Sequence, residues 1–314
     1  MSTRRFFLRN ALLPVGALYL SPALAMPAIH EPVKESPLSK RLKMLSRETI
    51  WNLIASTKVQ FKTFHSQGMV RIGTDFWISS VEVTPAFAND RSSGKGHLFR
   101  MDANGNLLND IAIGEGSIYH PSGIDFDGTH IWIAAAEYKP NSHAIIYRFD
   151  PQKMRLEEVF RWADHIGGIA RDTETNILHG VSWGSRRFYQ WPLNKEGKVR
   201  NPSIAPTDAA RLNHSFYVDY QDNQYLGGGE MLYTGLNSYK RAGKPSFSLG
   251  GIEIVDLNKG LPVHQVPVQL WSPGTDVIMT QNPSFFEAAE GNKLRGYFMP
   301  EDDNSTLFVY EASV

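Results

Sequence analysis

Cysteine is absent from the chain, so no disulfide, thiolate ligand or cysteine nucleophile enters its chemistry. Excess charge is missing too. The 32 basic residues balance 32 acidic ones, and composition gives no pointer to nucleic acid or an anionic membrane as partner. No apolar run reaches the roughly 20 residues that span a bilayer comfortably. Helical periodicity of useful length is missing from the repeats described below, and so is the local zinc motif His-Glu-x-x-His. What is there is a chain of 314 residues with 42% hydrophobic content, enough for one large all-β domain or two smaller ones.

Residues 1–25 stand apart. A basic stretch containing Arg4, Arg5 and Arg9 precedes the apolar run Ala11 to Leu20, and Ser21-Pro-Ala-Leu-Ala25 offers a small-x-small cleavage site. Arg4-Arg5 followed by Phe6, Phe7 and Leu8 resembles a twin-arginine export signal; an ordinary secretory signal is the alternative. Either places the mature protein in the periplasm or outside the cell, and the first makes the twin-arginine machinery a partner. That route carries folded proteins, often with a cofactor already inserted. Cleavage would remove three arginines and no acid, leaving a slightly acidic chain. Residues 26–47, rich in Pro, Lys, Glu and Ser, read as an extended leader or a short surface helix.

The stretch His120 to Glu137 organises the rest. Ile124 to Phe126 and Ile131 to Ala135 read as two strands about the turn Asp127-Gly128. Symmetry about that turn sets His120 opposite Glu137, with Cβ atoms roughly 5 Å apart on one sheet face. The unit recurs. His65-Ser-Gln-Gly68 leads to Glu82, and His165-Ile-Gly-Gly168 leads to Ser182. His214-Ser-Phe-Tyr217, with a turn at Asp222-Asn223, leads to Glu230, and a divergent copy opens at Gln281-Asn282-Pro283. Such long, uneven spacing fits the blades of a propeller.

Outer strands follow each hairpin: 97–102 and 107–113, 144–150 and 156–162, 187–191, then 251–256 and 263–271. The chain ends on Thr306 to Tyr310, after only three strands of its blade. Thr49 to Phe61 can supply the fourth and close the ring, which removes an exposed sheet edge. The expected fold is therefore all-β: a single propeller over 48–314, five-bladed, or six-bladed if 231–280 holds another blade.

The strings HPSGIDFDG (120–128), AEYKPNS (136–142), HIGGI (165–169) and GVSWGSRRFYQW (180–191) resemble an uncharacterised family of secreted bacterial and fungal proteins. That family brings no established activity. More loosely, the repeat looks like the propellers of gluconolactonases and strictosidine synthase-like proteins. In those folds the start of each inner strand faces the central channel and carries metal or substrate residues. Here His stands where the acidic and amide ligands of gluconolactonases are expected.

In a propeller, equal positions in successive blades converge on one end of the channel. His65, His120, His165 and His214 would then meet there as metal ligands, with Glu82, Glu137 and Glu230 as carboxylates behind three of them. Neutral imidazole suits a divalent transition metal such as Fe, Zn, Cu or Mn. An all-His site with outer glutamates resembles the carotenoid-cleaving oxygenases in ligand logic only. The alternative is that each His caps its inner strand and Glu is its buried partner.

Ser182-Trp183-Gly184-Ser185-Arg186 falls at the same end. Ser182, Trp183, Arg186 and Gln281 are candidate ligand-binding residues, with Trp183 offering a stacking face and Arg186 a grip on an anion. Tyr138-Lys139-Pro140 and Gly227-Gly228-Gly229 are expected to border the same mouth. No carboxylate–histidine relay serves Ser182, which argues against a serine hydrolase.

Two readings of function stay open. One is an exported metal-dependent enzyme, a hydrolase or lactonase-like or oxidative, on a small, anionic substrate. The other is a propeller without chemistry that holds a small ligand or a protein partner.

Overall fold

The structure is a computed structural model that describes residues 35–85 and 88–314. The signal sequence expected over 1–25 lies outside the described residues.

Short helix α1 (Pro37–Lys43) opens the described chain. Pro37 sits in its first turn and the Ser36 side chain caps the Ser39 N–H at 3.1 Å. Its Leu42, with Leu45, is buried among side chains of the last two blades, so the described part of the expected leader packs on the propeller, while residues 26–34 lie outside the described residues. Strand β1 (Trp51–Lys58) follows and pairs with the last strand of the chain.

Four-stranded antiparallel sheets then succeed one another. The first blade is β2 (His65–Ile72), β3 (Asp75–Val83), β4 (Gly94–Met101) and β5 (Leu107–Ile113). The second splits its inner strand into β6 (Ile118–Pro121) and β7 (Asp125–Phe126), followed by β8 (Ile131–Glu137), β9 (Ala144–Asp150) and β10 (Arg155–Trp162). The third comprises β11 (Ile166–Asp172), β12 (Ile177–Ser182), β13 (Arg187–Pro192) and the short β14 (Arg211–Leu212). The fourth has β15 (Asp219–Gly227), β16 (Glu230–Arg241), β17 (Lys244–Asp256) and β18 (Leu261–Val268). The fifth is β19 (Ser284–Ala288), β20 (Lys293–Phe298) and β21 (Thr306–Ser313), completed by β1.

Five sheets make a five-bladed β-propeller, closed as expected by the N-terminal strand. The stretch 231–280 holds no sixth blade. Its length goes into the long β16–β17 hairpin of the fourth.

A twisted blade is apolar on both faces, so each junction between blades becomes a small core. Trp132, Trp162, Tyr189 and Trp191 fill the junction of blades two and three. Val70, Trp77, Ile133 and Phe149 fill that of blades one and two. Each such side chain contributes about 1.5–3 kcal/mol by leaving water.

The inner strands touch at the axis. The Gly123 N–H donates to the Gly167 carbonyl at 3.2 Å, and the Ile169 N–H to the Gly123 carbonyl at 3.3 Å. Only glycine permits this approach: a Cβ on Gly68 would lie 2.5 Å from the Ile124 nitrogen, and one on Gly168 would collide with Asn223 Oδ1.

Asp222 and Asn223 finish the closure. The sequence suggests a turn there, but both lie inside β15, and the turn falls instead at Gly228-Gly229. The Asp222 carboxylate accepts backbone N–H groups from Met69 (2.9 Å), Asn223 (2.9 Å), Ser284 (3.2 Å) and Ile124 (3.3 Å), and Asn223 Nδ2 donates to the Ile169 carbonyl at 3.0 Å. All five blades are tied at this point.

Candidate functional site

The hub gives the true register of the repeat. Gly68, Gly123, Gly168, Asp222 and Ser284 occupy the axis, and three residues before each stand His65, His120, His165, Asp219 and Gln281. At about 3.3 Å per residue, that second ring lies about 10 Å up the strands, where the channel opens. A cavity of about 240 Å³ occupies the opening, lined by His65, Arg91, His120, Tyr138, His165 and Trp183, with Asp219 at its edge.

Its centre is a box of rings. The His120 and Tyr138 centroids are 4.1 Å apart, His165 and Trp183 4.7 Å, and His120 and His165 5.4 Å. His165 Nδ1 lies 2.9 Å from the Glu137 carbonyl oxygen. A carbonyl only accepts, so Nδ1 carries the proton and Nε2 the lone pair. Burial holds the His165 imidazole down at about 4. Burial, reinforced by the neighbouring His165 and His65, holds His120 well below the ordinary histidine value. Both rings are neutral at pH 7, and His120 Nδ1 is buried without a hydrogen-bond partner. His65 is oriented by Asp302, 2.9 Å from its Nδ1, and Asn282 steadies that carboxylate at 2.8 Å.

The loop after β12 forms one wall. Ser182 Oγ accepts the Arg187 N–H at 3.0 Å, and Gly184 and Ser185 both take left-handed backbone with φ of 60°. Arg186 staples this loop. It donates to the carbonyls of Gly184 and Ser215, pairs with Asp219 at 3.1 Å and lies over Phe216. Three of its five N–H donors are thus spent within the protein, and the side chain braces the wall. Burial raises the Asp219 carboxyl, and Arg186 opposes the shift.

Several expected partners lie elsewhere. His214 is exposed, precedes β15 and does not line the cavity; Asp219 holds its ring position. The glutamates are displaced because the inner strands carry bulges, which move the pairing by one residue and turn the side chains to the other face. His65 pairs with Val81 and His120 with Ala136, not with Glu82 and Glu137. Glu82 accordingly lies 3.6 Å from His97, and Glu137 faces His143 and Lys139. Glu230 sits at the far end of its hairpin, held by Ser39 and Lys43. Gly227 to Gly229 share that far end. Gln281 keeps its ring position but does not line the cavity. Among the described residues, no group of three or more His, Asp or Glu is arranged to hold a metal ion.

Sequence reasoning missed Asp219, Asp302 and Arg91. For Asp219 the signal was available: the His-x-x-Gly spacing fails at His214-Ser-Phe-Tyr217 and is matched in length by Asp219-Tyr-Gln-Asp222.

A model described as a family of unknown function, DUF6454, matches residues 23–314. The chain belongs to the DUF6454 family. The resemblance carried by the HPSG and HIGG strings is thus to a family without assigned activity. No curated protein matches this DUF6454 chain.

Among solved structures, the DUF6454 protein is similar to a mannose phosphorylase from Leishmania mexicana, MPT-4, solved in complex with phosphate ion. The two are 11% identical over 82% of this chain and 88% of that one, with a TM-score of 0.54. A hypothetical protein from Leishmania major is 10% identical over 82% and 90% of the two chains, with a TM-score of 0.52. At these identities the likeness shows a shared fold alone. No helix among the described residues is long and apolar enough to cross a membrane.

Proposed function

We propose that the axial mouth is a small-molecule site and that the protein acts there, after export, on a compact ligand with a flat or apolar body. The observation that carries this reading is the box of His120, Tyr138, His165 and Trp183 around the cavity at the mouth of the channel. Binding sites are typically concave, mostly apolar and furnished with a few convergent polar groups. Two neutral imidazoles supply uncharged nitrogen groups, and the rings of Tyr138 and Trp183 supply stacking area. Export rests on the sequence of residues 1–25.

A ligand collection tests the reading by thermal shift. Anything that binds only the folded protein raises its Tm. At least one compound should stabilise the wild type and lose most of its effect on Trp183→Ala. Equal effects on both proteins would remove the mouth from consideration.

A metal-dependent enzyme, hydrolytic, lactone-opening or oxidative, is the second reading. One observation favours it: the Glu137 carbonyl fixes the His165 tautomer with Nε2 basic, as the outer partner of a metal-bound imidazole does. His65, His120 and His165, with Asp219, would supply the donors, and Fe, Zn, Cu or Mn would suit them. Side-chain movement would be needed, since no three of these groups are arranged for ligation. Metal analysis of protein purified from its native compartment decides the point: stoichiometric metal lost in His120→Ala supports the enzyme, and metal-free protein leaves the binding function.

A further inference from the structure

Arg91 lines the cavity, and among the described residues its side chain has no hydrogen-bond or ion-pair partner. Its guanidinium lies 4.3 Å from the centre of the Tyr138 ring. Among the described residues no carboxylate pairs with it, and no hydrogen bond uses its side chain. The neighbouring Asp90 turns instead to the Ser92 N–H, at 3.0 Å.

The backbone around Arg91 is fixed. Its carbonyl accepts the hydroxyl of buried Tyr119 at 2.6 Å. Its φ is 52°, a left-handed conformation that costs a non-glycine residue about 1 kcal/mol or more and persists where the surroundings impose it.

The other charged groups of the mouth already have partners within the protein. Asp219 faces Arg186, and Asp302 faces His65 and Asn282. That leaves Arg91 as the one of these groups whose side chain, among the described residues, donates to no protein acceptor. Stacking on Tyr138 restrains the guanidinium while leaving its N–H fork unspent, and that fork matches the two oxygens of a carboxylate or phosphate.

We infer that the ligand of the mouth carries an oxyanion, a carboxylate or a phosphate, and that Arg91 rather than Arg186 binds it. This rests on the reading of the mouth as a small-molecule site. Arg91 is then the residue that sets specificity for charge, while the ring box receives the body of the ligand.

The experiment follows the imidazole signals of His120 and His165 by nuclear magnetic resonance in histidine-labelled protein. Inorganic phosphate, acetate and neutral glycerol are titrated separately into the wild type, Arg91→Ala and Arg91→Lys. Phosphate or acetate should move the two imidazole signals, and the better of the two identifies the class of oxyanion. Arg91→Ala should weaken that binding about ten- to a hundredfold, as for loss of a charged hydrogen bond. Arg91→Lys, which keeps the charge and loses the fork, should fall between. Oxyanions that leave both signals unmoved, or move them equally in wild type and Arg91→Ala, would overturn the inference. Glycerol acting where the oxyanions do not would overturn it too, yet leave the mouth standing as a binding site.

Discussion

Asp222, in the inner strand of the fourth blade, accepts the N–H of Met69, in the inner strand of the first, at 2.9 Å. The same carboxylate gathers amides from the second and fifth blades. Burial raises its carboxyl, and the backbone donors oppose the shift. Every donor is an amide that cannot accept, so the anion is the form these contacts solvate. Asp222→Asn would turn one acceptor into a donor aimed at two N–H groups. It should cost about 3 kcal/mol in urea denaturation. A loss below about 1 kcal/mol would mean that the blades hold together without the hub.

The stability of the fold should fall in mild acid through its buried histidines. His165 titrates at about 4 when folded, against 6.5 for the free side chain. Because the folded value is depressed, the unfolded chain takes up the proton first as pH falls. The contribution is whole above about pH 6.5 and lost on the way down to about pH 4, and it amounts to about 3 kcal/mol. His120 acts in the same direction. Denaturation midpoints between pH 4 and 7 should therefore fall less steeply in His165→Gln than in the wild type. Parallel curves for the two proteins would contradict the burial assigned to this imidazole.

Closure by β1 makes a third expectation. Strand β1 completes the fifth blade, with Trp51 packed on Phe286 and Phe298 at 6.4 Å from each. Deleting residues 48–62 would leave β21 as an unpaired edge. The truncated protein should aggregate, seen by size-exclusion chromatography. A monomeric, cooperatively folding truncation would show that the ring closes without this strand.

How much of this was legible in the sequence follows from what each signal depends on. Alternation along each strand and the three-stranded last blade are local patterns, and they led to a five-bladed ring closed by the N-terminal strand. The placement of His65, His120 and His165 followed from the shared His-x-x-Gly spacing, because the glycines must let the inner strands meet. The glutamates did not follow. Hairpin symmetry holds near the turn, where Asp125 pairs with Trp132, and fails past the irregularity, where His120 pairs with Ala136. A bulge leaves no mark on a two-residue period until strands are paired in space. His214 was chosen by residue type over spacing, and the hub at Asp222 then read as a turn. Arg91 was invisible because its place at the mouth depends on Tyr138, a residue of the next blade.

The most direct measurement is a crystal structure of the protein soaked with a compound that stabilises the wild type but not Trp183→Ala. Ligand density between His120, Tyr138, His165 and Trp183 is the expected result. Density confined to another cavity, such as the groove beside His97 and Asp110 on the first blade, with the mouth holding solvent alone, would contradict the assignment of the axial mouth as the site.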